Sequence, residues 1–134
     1  MAFSRDILVR FPDVDYARVL YYPRFYDYAH RVFEDFFAAE VGFPYPRVLG
    51  EQKVGYPTVP TEGDFVAPLR FGDVARVELT AEKVSERSIS SRYRVFKGEV
   101  LCATLKVVTV PVDLEHFGPL PVPPEVRAAF ARHP

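Results

Sequence analysis

From residue 23 to about residue 41, apolar positions recur at spacings of three and four: Phe25, Ala29, Val32, Phe36 and Ala39. Tyr26, Phe33 and Phe37 form a second stripe beside them, and Arg24, Asp27, Arg31, Glu34 and Asp35 fill the narrow polar strip that remains. So wide an apolar surface predicts a long helix largely enclosed by other structure. Pro23 suits its first position, and Gly42 followed by Pro44 suits its end.

Elsewhere the period is two. Residues 2–11 read as a short strand with Phe3, Ile7 and Val9 inward, stopped by Pro12, and residues 13–22 as a loop. Residues 42–50 are proline-rich and read as an exposed connection. Residues 54–69 read as one long, bent strand region interrupted by Pro57, Pro60 and Gly63. In residues 73–84, Val77, Leu79 and Ala81 alternate with Arg76, Glu78, Thr80 and Glu82; after a turn at residues 85–88, Ile89, Ser91, Tyr93 and Val95 define one face of the next strand. Lys97-Gly98-Glu99 predicts a tight hairpin. Leu101, Ala103, Leu105 and Val107 mark one face of a last strand reaching Pro111, and Pro123-Pro124 open a short helix over residues 125–132 with Val126, Ala129 and Phe130 on its apolar side.

The resulting order predicts an α+β protein of the hotdog fold: one long central helix wrapped by a curved antiparallel sheet of about five strands, with a short C-terminal helix. Such a sheet leaves an open edge, which favours pairing of two copies. The chain of 134 residues fits a single domain, 1–134, and its 49% hydrophobic and 26% charged residues fit a folded chain rather than a disordered one. A net charge of −1 argues against nucleic acid held by broad electrostatics. No apolar run approaches about eighteen residues, and Arg5, Asp6 and Arg10 interrupt the N-terminal segment, so a cytoplasmic protein without a membrane segment is expected.

Common catalytic signatures are missing: there is no Gly-rich phosphate loop, GxSxG elbow or HExxH helix. His30, His116 and His133 are too scattered for a metal cluster, so no metal is expected, and Cys102 reads as a small core residue. The chemistry concentrates before the helix, in Phe11-Pro12-Asp13-Val14-Asp15-Tyr16-Ala17-Arg18-Val19-Leu20-Tyr21-Tyr22-Pro23. No Ser, Thr, Asp or Asn occupies the seven residues ahead of Pro23, so the first-turn amides are expected to lack a local side-chain cap. Open amides at the positive end of a helix suit an anion or a polarised carbonyl oxygen, and a nearby Asp could attack that carbonyl or deprotonate a water beside it. On residue physics alone, the reading of Asp13 and Asp15 as turn residues bonding their own backbone, with water capping the helix, is the favoured one.

The stretch FPDVDYARVLYYPRFYDY resembles the 4-hydroxybenzoyl-CoA thioesterase-like family of hotdog acyl-CoA thioesterases, whose pattern runs aromatic, Asp-x-Asp, two residues, Gly, apolar residues, Tyr. A second match lies at Phe65-Val66-Ala67-Pro68-Leu69-Arg70-Phe71-Gly72-Asp73, and the resemblance covers nearly the whole chain. It implies that Asp15 is the catalytic carboxylate, as nucleophile or general base, and that the backbone N–H of Tyr22 polarises the thioester carbonyl. Asp13 is then an organiser of the loop, and Tyr21, Tyr26 and His30 join it and Arg18 as candidates for the substrate-binding region. Arg18 stands where the family has Gly; a positive φ there would strain the loop, and an Arg at the mouth could meet a CoA phosphate. Arg70, Arg92, Arg94 and Lys97 are further phosphate candidates.

The resemblance further implies an acyl-CoA substrate, no cofactor (CoA being part of the substrate), and a homodimer assembling into a dimer of dimers. Two alternatives stand beside hydrolysis: a non-hydrolytic module that binds acyl-CoA or an acyl carrier, and a dehydratase acting on hydroxyacyl thioesters. The latter usually sets a His near the helix start, whereas His30 lies eight residues beyond Tyr22.

Overall fold

In the computed structural model, which describes residues 2–134, the chain runs β1 (Phe3–Leu8), α1 (Pro23–Phe36), α2 (Tyr45–Arg47), β2 (Val54–Gly55), β3 (Thr58–Phe65), β4 (Val74–Val84), β5 (Ile89–Lys97), β6 (Val100–Thr109), β7 (Val112–Asp113) and α3 (Pro124–Ala131). Five strands form one antiparallel sheet in the order β1-β4-β5-β6-β3, while β2 and β7 pair separately. The sheet packs its inward face on α1: Val77 and Leu79 of β4, Tyr93 and Val95 of β5, and Leu105 of β6 share one core with Tyr28, Val32, Phe36 and Phe37. Val126, Ala129 and Phe130 of α3 close that core, as their apolar spacing predicts. Each fully buried aromatic or aliphatic side chain contributes about 1.5–3 kcal/mol relative to an exposed one.

Helix α1 continues without a break into a widened π-type turn over Phe37–Val41. The wider turn changes the phase of the helix. Ala39, expected on the core face, is therefore exposed, while Phe37 is buried. Three further expectations are corrected. Residues 54–69 are not one strand: Tyr56 and Pro57 separate β2 from β3, because Pro57 cannot donate to a ladder. The proline-rich connection is helical and only partly exposed; α2 and the π-type turn Val48–Gln52 bury Tyr45 and Val48, with Pro44 and Pro46 at the helix start, where a missing N–H costs nothing. Leu101 leaves the inward face because a β-bulge adds Cys102 to β6: Val95 pairs with Ala103 but Phe96 with Leu101, so Cys102 and Ala103 are both buried. The β5–β6 hairpin turns at Gly98, whose φ of +57° suits a residue without Cβ. Strand β3 is exposed along its whole length at one edge of the sheet.

Candidate active site at the start of the central helix

Residues 13–21 fold back as a miniature hairpin. The Tyr21 N–H donates to the Asp13 carbonyl (2.9 Å), the Asp15 N–H to the Val19 carbonyl (3.0 Å), and Val14 bridges Leu20 between them. The Arg18 N–H closes the turn on the Asp15 carbonyl (2.9 Å), and Arg18 has a φ of +68°, the left-handed conformation that glycine adopts at least cost. The Leu20 N–H bonds the Leu69 carbonyl (2.7 Å), tying this hairpin to the loop that follows β3.

The two carboxylates of the Asp-x-Asp motif have opposite surroundings. Asp13 is only 6% exposed. Its Oδ2 accepts from the Tyr28 hydroxyl (2.7 Å) and the Arg10 N–H (3.0 Å), and its Oδ1 lies 3.9 Å from Arg24 Nε. Burial pushes this carboxyl up, but those hydrogen bonds and the charges of Arg24 and Arg31 outweigh it and hold it below the ordinary value. The Tyr28 hydroxyl is correspondingly pushed far up, by burial first and then by the Asp13 carboxylate. Asp15, two residues on, is exposed, and its Oδ1 accepts the Ala17 N–H (2.8 Å).

The helix start has no side-chain cap. It is nevertheless not a row of open amides, because the Arg24 N–H donates to the Tyr21 carbonyl (2.8 Å) and the Phe25 N–H to the Tyr22 carbonyl (3.1 Å). Pro23 has no N–H. Among the described residues, the Tyr22 N–H is thus the one donor at the tip without an acceptor.

Tyr22, Tyr26 and His30 follow one another at spacings of four on one face of α1. Phe65 of β3 meets the head of that face, with its ring centroid 5.9 Å from Tyr22, 5.2 Å from Phe25 and 6.2 Å from Tyr26. A methyl group on Gly63 would lie 2.5 Å from the Tyr26 hydroxyl and 2.8 Å from the Phe65 ring, so the close seating of Tyr26 on β3 requires glycine there. Beyond Tyr26 a cavity of about 490 Å³ opens between α1 and the sheet, bordered by His30 and Phe33 on the helix, Thr58 and Thr61 on β3, and Tyr93 on β5.

Of the residues singled out from sequence, Tyr26 and His30 border this cavity, whereas Asp13, Asp15, Arg18, Tyr21 and Tyr22 lie in the hairpin and tip outside its lining. His30 is about half exposed and its Nδ1 pairs with Glu34 (2.9 Å), so it is not a core histidine. Among the phosphate candidates, Arg92 is paired with Glu82 and Lys97 with Asp73 (both 3.1 Å). Arg94 shares the outer face of β5 with Arg92, opposite the buried Tyr93 and Val95 that face α1. His116 lies with Asp113 and Glu115 in an exposed turn, their ligand atoms within 4.8 Å of one another, but Asp113 bonds His116 and the Glu115 N–H, and Glu115 pairs with Lys53.

A family model for the thioesterase-like superfamily matches residues 9–130. The chain belongs to that superfamily. The expectation of a thioesterase enzyme stands with it. The acyl-CoA thioesterase YbgC of Haemophilus influenzae is 24% identical over 128 residues, covering 96% of this chain and 93% of its own. A 1,4-dihydroxy-2-naphthoyl-CoA hydrolase of Nostoc punctiforme is 25% identical over 126 residues, covering 94% and 84%. Among solved structures, a 1,4-dihydroxy-2-naphthoyl-CoA thioesterase from Synechocystis superposes with a TM-score of 0.89 at 25% identity, covering all of both chains. A gentisyl-coenzyme A thioesterase superposes at 0.87 with 26% identity, covering 96% of this chain and 99% of that one. The hotdog architecture of this thioesterase is therefore shared along its entire length.

Sequence reasoning missed Tyr28, and it named Phe65 only as the aromatic that opens the second family match. A signal for the first existed: Tyr28 falls three residues after Phe25 and one before Ala29, on the face that the period turns inward, and a buried tyrosine hydroxyl needs an acceptor. The motif marked Phe65 as an aromatic position but not its contacts with Tyr22, Phe25 and Tyr26, which depend on how β3 crosses the helix.

Proposed function

We propose that this thioesterase hydrolyses acyl-CoA thioesters at the tip of α1. The observation that carries the reading is the open donor at the helix tip among the described residues, the Tyr22 N–H, at the head of a helix face that leads through Tyr26 and His30 into the cavity. A thioester carbonyl oxygen accepting that N–H would be polarised by the positive end of the helix. The carboxylate of Asp15 acts there as nucleophile or as the base that deprotonates water. In the second case water adds to the carbonyl carbon, the carbon–sulfur bond breaks, and the CoA sulfur leaves with the proton as free thiol.

The acyl group runs along α1 toward His30. Eight residues of helix span about 12 Å, room for a ring system or a medium chain. An aromatic acyl group fits the Tyr and Phe side chains along this path, in keeping with the 4-hydroxybenzoyl-CoA thioesterase-like motif. The CoA phosphates are assigned to Arg18 and Arg70, which are both exposed. A second copy pairs along the open edge of β3 and covers the exposed Asp15 and Tyr22, so that each site is completed by the partner, and two such dimers form the tetramer. No helix among the described residues is long and apolar enough to cross a membrane, and we place the reaction in the cytoplasm.

Asp15→Asn tests the assignment. Release of free CoA thiol from a panel of short, long and aromatic acyl-CoAs is expected to fall by at least about a hundredfold, with the thermal midpoint unchanged; wild-type rates in the variant reject it. One observation favours a module that binds without hydrolysis: the Asp15 carboxylate turns back on the Ala17 N–H. Thermal stabilisation by intact acyl-CoA with no thiol release would establish that alternative.

A further inference from the structure

The reaction proposed above needs two groups held in register, the Asp15 carboxylate and the Tyr22 N–H, and neither is anchored directly. Asp15 is exposed and bonds only within its own turn, and the Tyr22 N–H has no acceptor among the described residues. Besides the Leu20 N–H bond to the Leu69 carbonyl and the start of α1 itself, both groups are tied to Asp13. Asp15 follows it by two residues, and Tyr22 follows Tyr21, whose N–H is held by the Asp13 carbonyl at 2.9 Å. Asp13 is in turn fixed to the body of the protein at one side-chain oxygen, Oδ2, which takes the Tyr28 hydroxyl at 2.7 Å and the Arg10 N–H at 3.0 Å. The two donors are unequal as anchors. Arg10 sits beside the same loop, whereas Tyr28 is fully buried in the second turn of α1, between the side chains that fix the helix on the sheet.

Resting on the thioesterase reading, we infer that Tyr28 is a positioning residue of this enzyme: its hydroxyl, donated to the buried Asp13 carboxylate, sets the hairpin that carries Asp15 against the helix start that carries Tyr22. The bond acts through Asp13 and never touches substrate. It ties the Asp13 end of the hairpin to a rigid element in one step, so losing it lets that end shift while the Leu20 N–H bond to the Leu69 carbonyl and the fold persist. A displacement of about 1 Å between reacting groups can cost on the order of a hundredfold in rate. The charged groups around Asp13 are Arg24, with Nε 3.9 Å from Oδ1, and Arg31, both on α1; neither replaces the directional hydroxyl bond.

Tyr28→Phe removes the hydroxyl and keeps the ring. With benzoyl-CoA and hexanoyl-CoA as probes, kcat is expected to fall about tenfold to a hundredfold while KM stays within about threefold. The acid limb of the kcat profile should move to higher pH, because Asp13 with one donor fewer protonates more readily. Hydrogen exchange should quicken selectively at the Tyr21 amide and not in β4 or β5. A kcat equal to wild type overturns the inference, and so does a loss that merely follows the folded fraction with an unmoved pH profile. If Tyr28→Phe does not fold, Asp13→Ala removes the acceptor from the other side and is expected to give the same kcat loss and exchange pattern; wild-type kcat in that variant overturns the inference equally. Absence of thiol release from the wild-type enzyme would instead sink the thioesterase reading, whereas wild-type turnover with an unaffected Tyr28→Phe variant sinks this inference alone.

Discussion

At its C-terminal end α1 disappears among aromatic rings: Phe36 stacks 4.4 Å from Phe130 and 5.3 Å from Phe3, and Phe37 lies 5.1 Å from Tyr56 and 5.3 Å from Tyr45. At its N-terminal end the rings are in the open; Tyr21 is 50% and Tyr22 60% exposed, and the loop ahead of them is held by a few hydrogen bonds and one buried carboxylate. The same helix thus serves as core at one end and as a presented surface at the other. Stability comes from the closed end, which leaves the open end able to keep an unsatisfied donor and a left-handed Arg18.

Perturbations at the two ends should therefore separate cleanly. The largest stability effect is expected from Phe36→Ala, which empties the space between Phe3 and Phe130 and should cost about 3–5 kcal/mol in urea unfolding, with kcat of the folded fraction retained. A smaller effect belongs to acid. Asp13 is held below its ordinary carboxyl value, so its contribution is complete above the unfolded value of about 3.9 and is lost as pH falls through the lower folded value. The stability difference between wild type and Tyr28→Phe, about 1–3 kcal/mol at pH 7, should accordingly shrink on going from pH 6 to pH 3. Smallest is Arg18→Gly: relief of the positive φ should stabilise the fold by about 0.5–1 kcal/mol, less than the strain itself because glycine also loosens the unfolded chain, while KM for acyl-CoA rises severalfold if Arg18 meets a phosphate.

What was legible in the chain follows the same division. The apolar stripes of α1 and the alternation of β4 and β5 are driven by burial against a single core, and periodicity reads burial directly. The exceptions are backbone events without a side-chain signature. The π-type turn that carries Ala39 outward and the bulge that carries Leu101 outward each shift the phase by one residue, and neither changes composition; Cys102 is buried, as read from the sequence. Prolines 44 and 46 misled because a residue that breaks a helix interior is welcome at its first turn. In the site, the Asp-x-Asp motif and Pro23 marked the loop and the helix start. The resemblance already implied different roles for Asp13 and Asp15, but that Asp13 is the buried one, held by a hydroxyl fifteen residues away, required the structure, and the cavity required strands whose crossing of the helix no local pattern encodes.

The bulge in β6 has one more consequence. It turns the sole cysteine toward the interior, where burial raises the thiol and keeps it largely protonated. Alkylating reagents meet no thiolate until the β5–β6 ladder parts, so labelling of Cys102 is a built-in clock for how often the middle of the sheet opens.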